Sequence, residues 1–518
     1  MSSHDLSEGG TQRGVPMLSV QRLHAIPYKY LVAIVFTFGM IMNMVDTTVI
    51  NVAVPRLTEV FDSKTTTVEW TITGYLLSLA LFIPAAGWIS DRFGTKLTYL
   101  ASMGIFLVAS ALCGQANSIG ELVAFRFLQG IGGSMMTPVG TAMLSREFPG
   151  AERAKAVAIM SVPVLFGPML GPVLGGFLID DVSWRWIFYI NLPVGLAGLV
   201  IGIIFLKEHR EAYAQEGFDI IGLVTAGVGT ASILYALSLA GDKGWGSSQV
   251  VTFMLAGLVI LAIFVYTELN SRHPILDLRL LGRRLFATAN AMMGLAFISF
   301  GGFLLLVTLY LQDIHGYSAL EAGLIQGPAS IALGIGLPFA SRYYDRVGPR
   351  RMMMAGFGLT VIPLLLFVEL EPDSPWWWVT LLLALRGLPF VFASVAAQTV
   401  LFGPIESEKQ GMASSIFNTS RQIALSLGVA LMVTISTSRG STHLSNALHG
   451  RPASEASPDL LERTAMMGYH DAFLVAAVIM VIPFILSFTI RDKTVSDEME
   501  HRLGKKTEET KDLAAVEA

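Results

Sequence analysis

Asp46 is a carboxylate inside an apolar run that begins near Tyr30 and is long enough to cross a bilayer. A charge at mid-membrane costs roughly 2.5 to 3.5 kcal/mol on insertion scales, so such a group is paired, wet or protonated. A dry surround favours the neutral acid and a nearby cation the charged one, so a site that alternates between water and a closed interior can bind and release one proton per cycle. No other acid is expected well inside an apolar run, which makes Asp46 the proton-carrier candidate. The alternative is an Asp that only hydrogen-bonds a neighbouring helix.

Arg126 is the natural partner. It follows Glu121 near the start of its run, as Asp46 precedes Arg56 near the end of another. At 1.5 Å per residue both lie roughly 8 to 15 Å below the same surface, so they can face one another. Proton uptake by Asp46 would break such a pair. An arginine bridging backbone carbonyls near a helix end remains the other reading. Arg421 and Arg386 are further cations in apolar runs. With Asn418, Gln422 and Gln129 they are candidates for substrate contact or gating, weighed equally with packing. Gly167, Pro168, Gly171, Pro172, Gly175 and Gly176 remove bulk and backbone donors at positions four apart, so one helix face can kink and pack closely; bare glycine packing is the alternative.

His443, His449 and His470 lack metal-site spacing, and the single Cys113 forms no intramolecular disulfide. No Gly-Lys-Ser/Thr phosphate loop is present, and no cofactor is expected. A net charge of -4 without a long basic run gives no reason to invoke nucleic acid.

The elements that must position these groups follow from composition. Hydrophobic residues make up 53% and charged ones 14% of the 518 residues, against about 45 to 50% and about 25% for soluble proteins. A surface facing hydrocarbon needs little charge; a soluble one of this size needs more. Apolar windows of about twenty residues fall near 30–52, 71–90, 97–116, 121–144, 155–178, 186–206, 219–240, 249–268, 285–311, 321–341, 352–370, 376–400, 412–436 and 470–490. The expectation is an all-α polytopic membrane protein with fourteen spans. Sixteen Lys and Arg, among them Arg92, Lys96 and Arg146, lie in loops on the N-terminal side, against seven opposite. Both termini are therefore expected to be cytoplasmic. Trp376, Trp377 and Trp378 read as an interfacial anchor. The segment between the last two spans, from about Ser438 to Gly468, reads as a mobile external loop.

Gly87-Trp88-Ile89-Ser90-Asp91-Arg92-Phe93-Gly94-Thr95-Lys96 aligns with Ser341-Arg342-Tyr343-Tyr344-Asp345-Arg346-Val347-Gly348-Pro349-Arg350. A core Asp-Arg-x-Gly-x-Arg/Lys thus recurs between the second and third spans of two six-span blocks. The blocks cover 30–206 and 285–490, with a two-helix hairpin inserted in 207–284 and tails at 1–29 and 491–518. Duplicated halves are a common way to build a central site between rocking bundles.

With these motifs the chain resembles the major facilitator superfamily, and within it the fourteen-span drug:proton antiporters of EmrB/QacA type. Leu122 to Gly133, centred on Arg126, is similar to the superfamily's span-four motif, and Gly167 to Gly176 to its antiporter motif. Val45 to Pro55, Trp184 to Gly195 and Asn418 to Gln422 favour the fourteen-span branch. The resemblance implies proton-coupled export of an amphipathic, cationic or neutral small molecule across an inner membrane, with Arg126 in proton coupling. It implies a conformational latch at Gly87, Asp91, Arg92, Gly94, Lys96, Asp345 and Arg346. Asp91 would meet a helix of the other half while Gly87 and Gly94 allow close approach. Relatives of the EmrB kind work with a periplasmic adaptor and an outer-membrane channel, for which no docking residues can be named. The rival readings are a carrier of an endogenous metabolite such as a siderophore, lipid or amino acid, and a membrane enzyme or sensor. The enzyme lacks converging polar groups, and the sensor lacks an output domain.

Overall fold

The computed structural model describes residues 27–148, 171–210, 219–271, 274–405, 410–449, 451, 456–492 and 494. Regular structure among them is entirely helical, as expected where hydrocarbon offers no partner for a free backbone group. Among the described residues, eleven helices are long and apolar enough to span a membrane. The bent pair Thr65–Phe82 and Ala85–Phe93 raises this to as many as twelve.

The first group contains α1 (Tyr28–Val60), α2 (Trp70–Phe82), α3 (Ala85–Phe93), α4 (Thr95–Gln115), α5 (Ile119–Glu147) and α6 (Asn191–Phe205). α1 has 33 residues, about 50 Å at 1.5 Å per residue against roughly 30 Å of hydrocarbon. It therefore extends past the apolar window and carries Arg56 as a helical residue, paired with Glu59 at 2.8 Å. The second window is not one helix. Pro84 interrupts it, and its two parts meet at 57°. Of the fifth window, 155–170 lies outside the described residues, as do Gly167 and Pro168; its end is helical over 171–177.

α7 (Ile220–Lys243) and α8 (Ser248–Asn270) pack on each other, and α7 also rests on α2 and on α13. The last group is α9 (Arg284–Leu309), α10 (Ala319–Val347), α11 (Pro349–Leu366), α12 (Trp376–Phe402), α13 (Gln410–Leu448) and α14 (Pro458–Ser487). Close approach replaces the missing hydrophobic drive between helices in lipid. A Cβ on Gly428 of α13, for example, would overlap the Ile298 carbonyl of α9. Trp376 and Trp377 are exposed at the start of α12.

The expected external loop is largely helix. α13 continues to Leu448 because Arg439 and His443, one turn apart, both reach Asp471 of α14, at 2.6 and 2.9 Å. A polar composition does not end a helix that a neighbouring helix can pair with.

Candidate functional site

Asp46 and Arg126 meet in the interior. Arg126 Nη1 lies 2.6 Å from Asp46 Oδ2, and the residues are 0% and 3% exposed. The other carboxylate oxygen, Oδ1, accepts from Gln129 Nε2 at 2.9 Å and from Asn191 Nδ2 at 3.1 Å. Ser110 Oγ ties the two amides together, accepting from Gln129 at 3.1 Å and Asn191 at 3.0 Å. Arg126 also donates Nε to the Thr71 carbonyl at 2.9 Å and Nη1 to Gln129 Oε1 at 2.6 Å. Its guanidinium sits 4.2 Å from the Tyr75 ring centroid, a cation–π geometry.

Four helices build this cluster: α1 gives Asp46, α4 gives Ser110, α5 gives Arg126 and Gln129, and α6 gives Asn191. Arg126 and Gln129 are three apart on one helix, so both reach the same carboxylate. Gln129, which the sequence groups with the candidates for substrate contact or gating, thus bonds to both Asp46 and Arg126. Ser110 and Asn191 were not singled out. Asn191 did lie in the Trp184 to Gly195 stretch; Ser110 carried no sequence signal.

Asp46 is not the only acid buried in a span. Glu268, near the end of α8, is 1% exposed and accepts from the Leu276 amide at 3.3 Å. Asp313, in the wide turn Tyr310–Ile314 after α9, is by contrast exposed and accepts from Tyr469 at 3.0 Å. Glu268 closes the 249–268 window and Asp313 follows the 285–311 window, so each sits where a helix ends and a neighbouring group supplies a donor.

A cavity of about 510 Å³ lies between the two groups of helices. Asn43 and Thr47 of α1, Ser134 of α5, Phe300 of α9 and Asn418, Arg421 and Gln422 of α13 line it. The lining continues to Thr141 and Ser414, near the ends of α5 and α13 on the side where α1 begins. Asn43 links cavity and cluster: its Nδ2 donates to the Gly133 carbonyl at 3.1 Å, and its Oδ1 accepts from Tyr75, the residue beneath Arg126, at 3.4 Å. Arg386 does not line the cavity. It is 4% exposed, with its guanidinium 4.8 and 4.1 Å from the Phe300 and Phe303 rings.

The opposite side is closed by contacts between the groups. Gly176 faces Ala319 and Leu320 of α10 so closely that a Cβ would overlap their backbone. Gly323 faces the Pro172 carbonyl in the same way. The Leu320 amide donates to Asp180 at 2.7 Å, and Gln312 donates to the Val52 carbonyl at 3.1 Å. Gly171 and Gly175 face Thr48, Val49 and Val52 of α1. The described part of the Gly-Pro motif therefore packs on both groups of helices.

At the repeated turn, Gly94 and Gly348 both have positive φ, 99° and 81°, a conformation open to glycine. Sequence reasoning missed what holds these turns. Glu208, just past α6, accepts from the Lys96 and Leu97 amides at 3.0 Å each, and Lys96 Nζ donates to the Ile203 carbonyl at 2.9 Å. Asp492, just past α14, accepts from the Arg350 amide at 2.9 Å. Close approach is real at Gly94, where a Cβ would overlap the Glu208 carboxylate, but absent at Gly87, where it would meet nothing within 4 Å. Arg92 and Arg346 are exposed, and the side chain of Asp345 lies outside the described ones. No group of three or more His, Cys, Asp or Glu side chains among the described residues is arranged to hold a metal.

The family model for the Major Facilitator Superfamily matches residues 36–429 and again 291–512. A Multidrug resistance protein B homolog of Mycobacterium tuberculosis is 34% identical over 400 residues, covering 76% of this chain and 73% of the relative. The Tetracenomycin C resistance and export protein of Streptomyces glaucescens is 31% identical over 82% of this chain and 79% of its own. The Lincomycin resistance protein LmrB of Listeria monocytogenes is 25% identical over 88% and 95%. Among solved structures, a bacterial homolog of the human lysosomal transporter Spinster superposes with a TM-score of 0.64 at 17% identity, covering 92% of this chain and 98% of its own. A D-xylose-proton symporter does so with 0.59 at 16% identity, covering 88% and 97%.

Proposed function

This multi-pass membrane transporter belongs to the major facilitator superfamily, and we propose that it exports amphipathic small molecules in exchange for protons by alternating access. One observation carries the reading: a buried carboxylate with three side-chain donors, one charged, within a turn of a cavity residue on the same helix. Relatives that bear drug-resistance and export names support the direction of transport. α5, with 29 residues, and the window ending at 178 bring the spans to fourteen, with both termini cytoplasmic and two six-helix halves flanking α7 and α8.

In this conformation the cavity reaches the side where α1 begins and the other side is closed, so substrate loads from the cytoplasm. Three donors, from Arg126, Gln129 and Asn191, point at Asp46. Once the halves rock and water reaches Asp46 from outside, a proton on Oδ2 replaces the Arg126 contact. Arg126 then keeps the Thr71 carbonyl, Gln129 and the Tyr75 ring. Since Tyr75 is bonded to Asn43 on the cavity wall, the arrangement of Arg126 is felt at the substrate. The electrical gradient supplies about 2.3 kcal/mol per charge per 100 mV. Asp91 and the residues of its turn bias the two end states.

Proteoliposomes carrying a trapped pH dye provide the test. Adding a transported drug should release protons in parent vesicles and not in Asp46→Asn ones; equal release from both would sink the reading.

A further inference from the structure

The cavity wall is electrically one-sided. Among the described residues that line it, Arg421 is the only charged side chain, and no carboxylate faces it. Arg421 is half-buried and makes no ion pair among the described residues, and its Nε is buried without a hydrogen-bond partner. A second cation stands behind the same wall. Arg386 packs on the ring of the cavity residue Phe300, with Nε and Nη2 buried and also without hydrogen-bond partners. The opposite half differs, because Arg126 has Asp46.

An uncompensated buried cation is strongly unfavourable, whereas the same cation beside an anion with good hydrogen-bond geometry is not. A guanidinium presents its N–H groups as a planar fork that suits a carboxylate or another oxyanion. Phe297 and Phe300 give the wall an apolar aromatic face next to this charge, and Asn418 and Gln422 add amides on the same helix as Arg421. A cationic ligand would meet repulsion from Arg421 and no acid to offset it.

We infer that the cavity binds amphipathic aromatic molecules that carry an acidic group, a carboxylate or phenolate, with Arg421 as the anchor and Phe297 and Phe300 as the apolar wall. This differs from the cationic or neutral substrate expected from the resemblance, and it rests on the exporter reading for its place in transport. An inside-negative potential drives the anion out as it drives protons in, so both movements run with the electrical gradient.

The test is binding, which does not depend on proton coupling. Dansylglycine, dansylglycinamide and dansylethylenediamine share one aromatic body and differ as anion, neutral amide and cation. Their binding to the purified full chain in nanodiscs is followed by fluorescence at neutral pH, with protein-free discs subtracted. Dansylglycine should bind at least about tenfold more tightly than either of the others, as expected for a charge-assisted contact. Arg421→Gln should erase that preference, and Arg421→Lys should keep part of it because the charge stays and the fork is lost. Equal or tighter binding of the amine, a preference that survives Arg421→Gln, or no binding of the acid would overturn the inference, and the first and last need no variant. A retained preference with no drug-driven proton release would support the acidic site while removing the exporter reading.

Discussion

Asn43 and Asp46 lie three residues apart on α1, one on the cavity wall and the other bonded to Arg126. A residue of the cavity wall and the carboxylate proposed to carry the proton are thereby fixed on one rigid helix turn. Neither can be displaced along α1 without the other. The first expectation is that Asp46→Asn abolishes proton-coupled export while the protein still inserts. The amide keeps the size and one acceptor oxygen but does not titrate. Asp46→Glu should retain part of the activity. Export by Asp46→Asn at the parent rate under an imposed pH gradient would remove Asp46 from the proton path.

The pair also makes a stability prediction with a sign. Removing one partner of a buried ion pair leaves a lone charge and typically costs about 3–5 kcal/mol. Arg126→Ala should therefore lower the thermal midpoint strongly, and adding Asp46→Asn should restore part of it because the orphaned carboxylate is gone. Arg126→Lys should fall between, since the Thr71, Gln129 and Asp46 contacts use a fork that an ammonium lacks. A double variant whose loss equals the sum of the losses in Arg126→Ala and Asp46→Asn would show that the two side chains are not energetically coupled.

How far the sequence reveals this site depends on which physical quantity each residue expresses. Asp46 and Arg126 stand out because charge in an apolar window is costly, and that cost is visible in composition. Gln129 is visible as part of a motif, but an amide on a helix does not indicate which neighbour it faces. Ser110 is invisible: small hydroxyl residues are common in spans, and its role exists only where α4 and α6 cross. Glu208 and Asp492 look like ordinary loop acids until the helix starts they cap are seen beside them. The polar end of α13 looks like loop because hydropathy reports lipid exposure, whereas the helix is extended by pairing with α14.

The closed side gives a third prediction. Gly176 and Gly323 allow the end of the 171–177 helix to meet α10 backbone to backbone, and a branched side chain there cannot fit without separating the halves. Gly176→Val should shift the population away from the conformation described here. Cysteine pairs on the two rims, placed after replacing the buried Cys113, report the change as lower crosslinking on the side of Leu320 and Asp180 and higher crosslinking on the other. Gly104→Val is the control, because an added Cβ there meets nothing within 4 Å. Equal yields in Gly176→Val and the control would show that this packing does not gate.

Glu208 gives the last prediction, which separates a clasp within one half from a latch between halves. Its carboxylate sits at the start of α4, where two backbone amides point at it and the helix dipole favours negative charge. Asp492 occupies the corresponding place at the start of α11. Glu208 joins α4 to the segment after α6, and Asp492 joins α11 to the segment after α14, so each stiffens one group of helices without crossing to the other. A cap of this kind contributes about 0.5–2 kcal/mol, and exposure to water puts Glu208 at the lower end. Glu208→Gln and Asp492→Asn should each lower the thermal midpoint slightly and leave the rim crosslinking ratio unchanged. Asp91→Asn should do the reverse, because a latch worth about 1.4 kcal/mol changes that ratio about tenfold. A changed ratio in Glu208→Gln with an unchanged one in Asp91→Asn would move the latch from Asp91 to the clasp.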